Sequence, residues 1–168
     1  MKKESMYRMV FVALAAGLLL SLWTVSALCA EQKPAPAPPT LYERLGGINN
    51  IAVLIDDVIE RSYVNQVFSA NPMIEEAHKR FPKAVYKYNA TSLACMVMGG
   101  PQKYTGRSMK ESHQHLKVSD KEWQELMAIF HDSMNSFRVP EKEQKEIMGI
   151  IESTKGDIVV PSPKTAAK

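Results

Sequence analysis

The chain has 168 residues, 21 Lys+Arg against 18 Asp+Glu and a formal net charge of +3, a length that fits one domain with accessories. Lys2, Lys3 and Arg8 against Glu4 supply most of that excess; beyond residue 30 the chain carries 18 basic and 17 acidic residues, net +1, which gives a nucleic-acid partner no electrostatic support. The two cysteines, Cys29 and Cys95, lie on either side of residue 30, so a chain cleaved there has no internal disulfide and depends on its core or on a cofactor.

The first segment reads as a targeting signal. Met9 to Ala30 is a run of 22 uncharged, mostly apolar residues behind a basic start, with Ser26, Ala27 and Ala30 near its end. Basic region, apolar region and small-residue end form the layout of a secretory leader, cleaved after Ala30 or just before it. The competing reading is a retained anchor, because roughly 20 apolar residues cross a bilayer as a helix. Leu28 directly before Cys29 is unusual for a lipoprotein cleavage site. The expected location is therefore outside the cytoplasm, in a bacterial periplasm, with anchoring to the inner membrane as the alternative. Residues 31–39, EQKPAPAPP, form a semi-rigid proline-rich tether. Residues 161–168 are expected to be an unstructured tail, and the folded domain spans 40–160.

Within that domain every periodic segment has helical spacing. Thr40 and Glu43 make a capping box that opens a short helix over 41–45, and Gly46-Gly47 ends it. Ile48, Ile51, Ala52, Ile55 and Ile59 are predicted to form the apolar face of a second helix. The stretch 62–83 is broken by Asn71-Pro72 and Phe81-Pro82 and holds at most a short helix over 73–80. A third main helix is predicted over 84–98, stopped by Gly99-Gly100-Pro101. Ser119 with Glu122 caps a helix whose stripe is Trp123, Leu126, Met127, Phe130, Met134 and Phe137. After Pro140 a last helix buries Ile147, Ile150, Ile151 and Ile158. No alternating strand pattern occurs, so the fold class is all-α.

The chemistry concentrates in residues 99–116, GGPQKYTGRSMKESHQHL: a glycine-proline turn, a polar loop and a short helix ending in two histidines. Met109 and His113 are four apart and share a face. An imidazole beside a thioether and a leucine suits a metal or porphyrin in an apolar pocket, but a solvated or core histidine fits the same stretch. The chain has no Cys-x-x-Cys-His for covalent c-type haem and no His-Glu-x-x-His or paired cysteines for zinc. The methionines, ten in all, are expected to fill core gaps.

Several motifs in order resemble group I truncated haemoglobins: Leu41-Tyr42-Glu43-Arg44-Leu45-Gly46-Gly47, Gly99-Gly100-Pro101, Tyr104-Thr105-Gly106-Arg107-Ser108-Met109, Glu111-Ser112-His113, Val139-Pro140-Glu141 and Asp157-Ile158-Val159. The resemblance spans about 40–160. It implies a two-over-two globin fold around one b-type haem, with His113 as the proximal iron ligand. Its second ring nitrogen is then expected to donate to a backbone carbonyl. His115, two residues on, points away on a helix and is the rival. Lys103, Tyr104 and Arg107 lie in the loop before that helix, where a cation or phenol can meet a haem propionate; Met109 and Leu116 line the pocket.

The distal side departs from the family pattern. Counting from Gly46-Gly47, the family's B-helix tyrosine position falls on Ile59, which has no donor. Counting back from Gly99-Gly100, the two E-helix positions fall on Tyr86 and Ala90, so the usual glutamine is missing. Tyr86, Ala90, Leu93 and Val97 make one helical face suited to covering a porphyrin. Tyr86 is the expected distal donor, with Tyr88 next, and both have a solvent reading too. The region before this helix is longer than the family norm, and the aromatic residue over the haem is either Phe68 or Phe81. His78 is a minor candidate for an internal distal ligand; His131 is expected on a polar face. Three functions compete: binding of a diatomic gas (oxygen, nitric oxide or carbon monoxide); nitric oxide dioxygenase or peroxidase-like chemistry, which requires an external electron donor; and a haem-free, membrane-tethered helical module.

Overall fold

The computed structural model describes residues 37–161; the expected leader and most of the tether and tail lie outside them. Among these residues the only β-structure is one isolated parallel bridge, Val118 to Val159. Everything else that is regular is helical, as the spacing predicts. None of these helices is long and apolar enough to cross a membrane.

Helix α1 (Leu41–Arg44) opens on the expected capping box, with Thr40 and Glu43 each accepting from the other's backbone N–H. Gly46 and Gly47 then take φ of +85° and +81°, the left-handed region that glycine enters without a Cβ penalty. Helix α2 (Ile48–Val64) buries Ile51, Leu54, Ile55 and Val58, a stripe at i, i+3, i+4 and i+7. The predicted stripe was rotated by part of a turn: Ile48 is exposed, and Ala52 and Ile59 are half-buried.

The unclear stretch holds two short helices. Helix α3 (Gln66–Ser69), which the sequence reading did not anticipate, is capped by Asn65. Helix α4 (Pro72–Arg80) is capped by Asn71, whose side-chain Oδ1 accepts from the Met73 and Ile74 N–H groups, with Pro72 in its first turn. Helix α5 (Lys83–Val97) follows Pro82 and ends at the glycine turn. Then come α6 (Met109–His113), a 3₁₀ turn (Gln114–Leu116), α7 (Asp120–Ser136), α8 (Glu141–Glu152) and α9 (Lys155–Ile158). In α7 the buried set is Glu122, Trp123, Ile129, Ser133 and Met134. Phe137, counted as core from the sequence, is exposed at the helix end.

Two clusters form the core. One gathers Leu41, Ile51, Leu54, Ile55, Cys95, Met98, Met134 and Ile147; the other gathers Val58, Phe68, Ile74, Val118, Trp123, Ile129 and Ile158. Cys95 is a free, buried thiol. Helices α2 and α5 run antiparallel. Asp56 and Glu60 pair with Lys87, Glu60 pairs also with Lys83, and the Tyr63 ring meets the Tyr86 ring.

The double-glycine motifs belong together physically. The Tyr42 N–H donates to the Met98 carbonyl at 2.9 Å, and the Gly100 N–H to the Cys95 carbonyl at 2.8 Å. A Cβ on Gly100 would lie 2.6 Å from the Tyr42 ring. The first motif thus seats on the second, and this contact fixes the end of α5 from which the loop to α6 departs. Arg44 adds a clamp from α1 to α8 through Glu143, at 2.8 Å, and Glu146.

Candidate functional site

Helix α6 is short but well started. Ser108 caps it, and Glu111 reaches back to the Ser108 N–H at 2.9 Å. This second capping box is legible as S-x-x-E, although the sequence reading passed over it. The helix ends at His113, and Lys117 at φ +50° turns the chain out of the 3₁₀ segment. His113 is half-buried and His115 is exposed. The His113 Nδ1 lies 2.8 Å from the Met109 carbonyl. A carbonyl only accepts, so the proton sits on Nδ1 and Nε2 keeps its lone pair. Burial pushes the imidazole below the usual histidine range, against the opposing pull of that carbonyl; the ring is therefore neutral at pH 7. Met109 and Leu116 are half-buried against the second core cluster.

The loop before α6 is held by its own tyrosine. The Tyr104 hydroxyl donates to the Arg107 carbonyl at 2.8 Å, and its ring lies where a Gly106 side chain would go. The phenol proton is thus unavailable to a propionate. Lys103 and Arg107 are exposed, and neither forms an ion pair among the described residues.

Helix α5 supplies the opposite wall. Only Cys95 is buried within it. Tyr86, Ala90 and Leu93 are half-buried, and Val97 remains 47% exposed. The Tyr86 hydroxyl, expected to be a free donor, donates to the Ala77 carbonyl of α4 at 2.8 Å. Its only proton is committed there, so this arrangement leaves it none for a ligand. Tyr88 is 72% exposed. Phe68 is buried in the core, whereas Phe81 is exposed and stands edge-on to Tyr86. His131 is exposed on α7, as expected.

One residue was missed. Tyr63 on α2 has a buried hydroxyl without a hydrogen-bond partner among the described residues. Its ring stacks on His78, with centroids 3.8 Å apart and planes 11° from parallel. A signal was present: Tyr63 continues the line Ile55, Ile59 at a further step of four. Burial raises the Tyr63 phenol above its usual range and lowers the His78 imidazole below its own.

No group of three or more His, Cys, Asp or Glu residues that could hold a bare metal ion occurs among the described residues. One neutral imidazole with an available Nε2 can anchor an iron that brings its other in-plane ligands with it. The half-covered apolar face of α5 and the orphaned Tyr63 hydroxyl fit such a group. The bacterial-like globin family model matches residues 40–160.

The chain belongs to the bacterial-like globin family.

Solved structures place the fold more closely. A truncated haemoglobin from Tetrahymena pyriformis, in its Fe(III) form, matches with a TM-score of 0.61 at 20% identity, covering 73% of this chain and 100% of that one. The 2/2 haemoglobin of Synechococcus sp. PCC 7002, in the cyanomet state with covalently attached haem, matches with a TM-score of 0.60 at 18% identity, covering 72% and 98%. The group II truncated haemoglobin of Bacillus anthracis reaches 0.64 at 18% identity, covering 78% and 98%. No curated protein matches. At these identities the likeness is one of fold, and this globin has the truncated, all-helical form.

Proposed function

We propose that this globin binds haem b through His113 Nε2 and takes up a diatomic gas, with oxygen binding as its activity. The supporting observation is the His113 geometry: Nδ1–H donated to the Met109 carbonyl at 2.8 Å, and burial that keeps the ring neutral. That bond fixes both tautomer and ring orientation, which a metal-ligating histidine requires. When bound, the haem supplies an iron with an open position for the gas. The residues do the rest. His113 anchors, while Leu93, Val97, Met109 and Leu116 exclude water from the porphyrin faces. Lys103 and Arg107 remain available to the propionates; Tyr104 shapes their loop and contributes no proton.

Within the family we assign the chain to group I, on the ordered motifs between Leu41 and Val159. We also propose that the domain works outside the cytoplasm, on the strength of the basic start and the uncharged run from Met9 to Ala30. The test of haem binding is an absorption spectrum of the purified ferrous protein with and without carbon monoxide. A Soret band that shifts on adding the gas supports the reading. A colourless protein that takes up no added haem refutes it.

A further inference from the structure

The structure assigns the ligand-facing hydrogen-bond donor of this globin to Tyr63, and makes α4 the strap that selects it over Tyr86. The inference rests on the haem reading above and departs from the sequence expectation at both positions.

The starting point is the orphaned hydroxyl. Folded proteins rarely leave a buried hydroxyl without a partner, and the described residues provide none for Tyr63 Oη, nor for two other buried oxygens, Ser133 Oγ and Gln102 Oε1. Of the three, Tyr63 alone lies at the contact of α2 with the stripe of α5, against Tyr86, and a bound ligand is the partner assigned to it. The other tyrosines described are accounted for. Tyr86 donates to the Ala77 carbonyl, Tyr104 to the Arg107 carbonyl, and the Tyr42 oxygen accepts from Gln102; Tyr88 stands in solvent.

Its placement on the wall follows from the antiparallel pairing of α2 and α5. Ile59 and Ala90 pack on the same core cluster, and one turn further on the Tyr63 ring meets Tyr86 at 6.4 Å. Tyr63 is therefore level with the first residue of the α5 stripe, where Tyr86 was expected to donate. Ile59, which cannot donate, has its nearest replacement four residues later on the same face of the same helix.

Helix α4 holds this arrangement from both ends. At its start, Asn71 caps the helix and also donates from Nδ2 to the Leu116 carbonyl, in the turn after His113, at 3.0 Å. At its end, the Ala77 carbonyl takes the Tyr86 proton, and His78 lies flat on the Tyr63 ring. The Lys83 ammonium stands 4.5 Å from the centre of that ring. Burial keeps His78 neutral, which suits stacking on a phenol. A ring held in this way presents its hydroxyl pre-organised. The ligand class is a small molecule with a hydrogen-bond acceptor atom, so oxygen gains over carbon monoxide. His78 acts as a positioning residue.

The test uses the full chain loaded with haem, in the ferrous state, with carbon monoxide and oxygen as probes. Tyr63→Phe should move the C–O stretch of bound carbon monoxide to higher wavenumber and speed oxygen release by about two- to twelvefold, the loss of one hydrogen bond. Carbon monoxide release should change less, and Tyr86→Phe should move the stretch less than Tyr63→Phe does. His78→Ala should shift the stretch in the same direction; His78→Phe, which keeps a flat ring on Tyr63, should restore it. Without haem, Tyr63→Phe should melt no lower than the parent, since its hydroxyl has no partner to lose. An unmoved stretch and oxygen rate in Tyr63→Phe, or a larger effect in Tyr86→Phe, overturns the inference and leaves haem binding standing. A lower melting temperature for the haem-free Tyr63→Phe also overturns it. A chain that shows no Soret band overturns haem binding and the inference together.

Discussion

Replacing Gly100 by alanine tests whether the two double-glycine motifs form one structural unit. An added Cβ would stand 2.6 Å from Tyr42 Cδ2, 2.7 Å from Gln102 Oε1 and 2.8 Å from the Cys95 carbonyl oxygen. The glutamine amide can swing away. The carbonyl belongs to the last turn of α5 and already accepts from the Gly100 N–H. The tyrosine is held through its own N–H to Met98. Relief therefore requires backbone movement, and overpacking of this kind costs about 1–3 kcal/mol. For a domain of this size each kcal/mol lowers the melting temperature by roughly 3–6 °C, so Gly100→Ala should melt about 3–18 °C below the parent. The internal control is Gly149, inside α8, whose Cβ would meet nothing within 4 Å. There alanine should stabilise by about 0.5–1 kcal/mol through helix propensity alone. Calorimetry on the haem-free chain reads both. If Gly100→Ala melts at or above the parent while Gly149→Ala behaves as stated, the seating of Tyr42 on the turn is not the constraint described here.

His113→Ala should lose stable haem binding, whereas His115→Ala, a change at an exposed position, should keep the ferrous carbon monoxide spectrum; reversal of the two results would move the ligand. The Arg44 guanidinium holds the Glu143 carboxyl below its ordinary value of 4.5. A depressed folded-state pKa contributes stability above that value that is lost as pH falls through the folded one, so Glu143→Gln should flatten the fall in stability below about pH 4.5. An acid unfolding curve that keeps the parent's slope in Glu143→Gln would remove the clamp from the explanation. For export, fractionation with N-terminal sequencing should find a chain beginning near Glu31 outside the cytoplasm; full-length protein in the membrane fraction would mean a retained anchor, and soluble full-length cytoplasmic protein would end the export reading.

The parts of the fold that were legible in the sequence are those coded within a few residues. The Thr40 and Ser119 capping boxes and the glycine turns after α1 and α5 depend on partners three to five positions away, and so does the bond from His113 Nδ1 to Met109, although there the expectation of a carbonyl partner came from the resemblance. The parts that were not legible depend on what a helix packs against. The apolar residues of α2 allow more than one stripe, and the choice of Leu54 and Val58 over Ile48 and Ala52 is made by α5 and α7, not by α2 itself. Phe137 has the right spacing for the α7 core but falls at the helix end, where the chain turns through Arg138 at φ +53°. Tyr86 is expected on the α5 stripe as the distal donor, and the structure places it half-buried on that helix with its proton on another acceptor. Its hydroxyl is decided nine residues upstream, at Ala77, in a helix whose packing no local pattern reveals.

The same division explains how the two walls of the site can be adjusted separately. On the His113 side, the geometry is closed by bonds between neighbours in sequence: Ser108 with Glu111, Tyr104 with Arg107, His113 with Met109. From elsewhere in the chain, α6 is reached by packing, against α9 and the second core cluster, rather than by side-chain hydrogen bonds to these groups. On the opposite side, the choice of donor is a competition between two tyrosines, settled by where α4 puts one carbonyl and one imidazole. A substitution at His78 changes that choice without touching α6. Asn71 is the exception, since its side chain both caps α4 and ties it to the turn after His113. Loss of that amide frees α4 at the end nearest His113, so a change at Asn71 should be felt on both walls, and one at His78 on the Tyr63 wall alone.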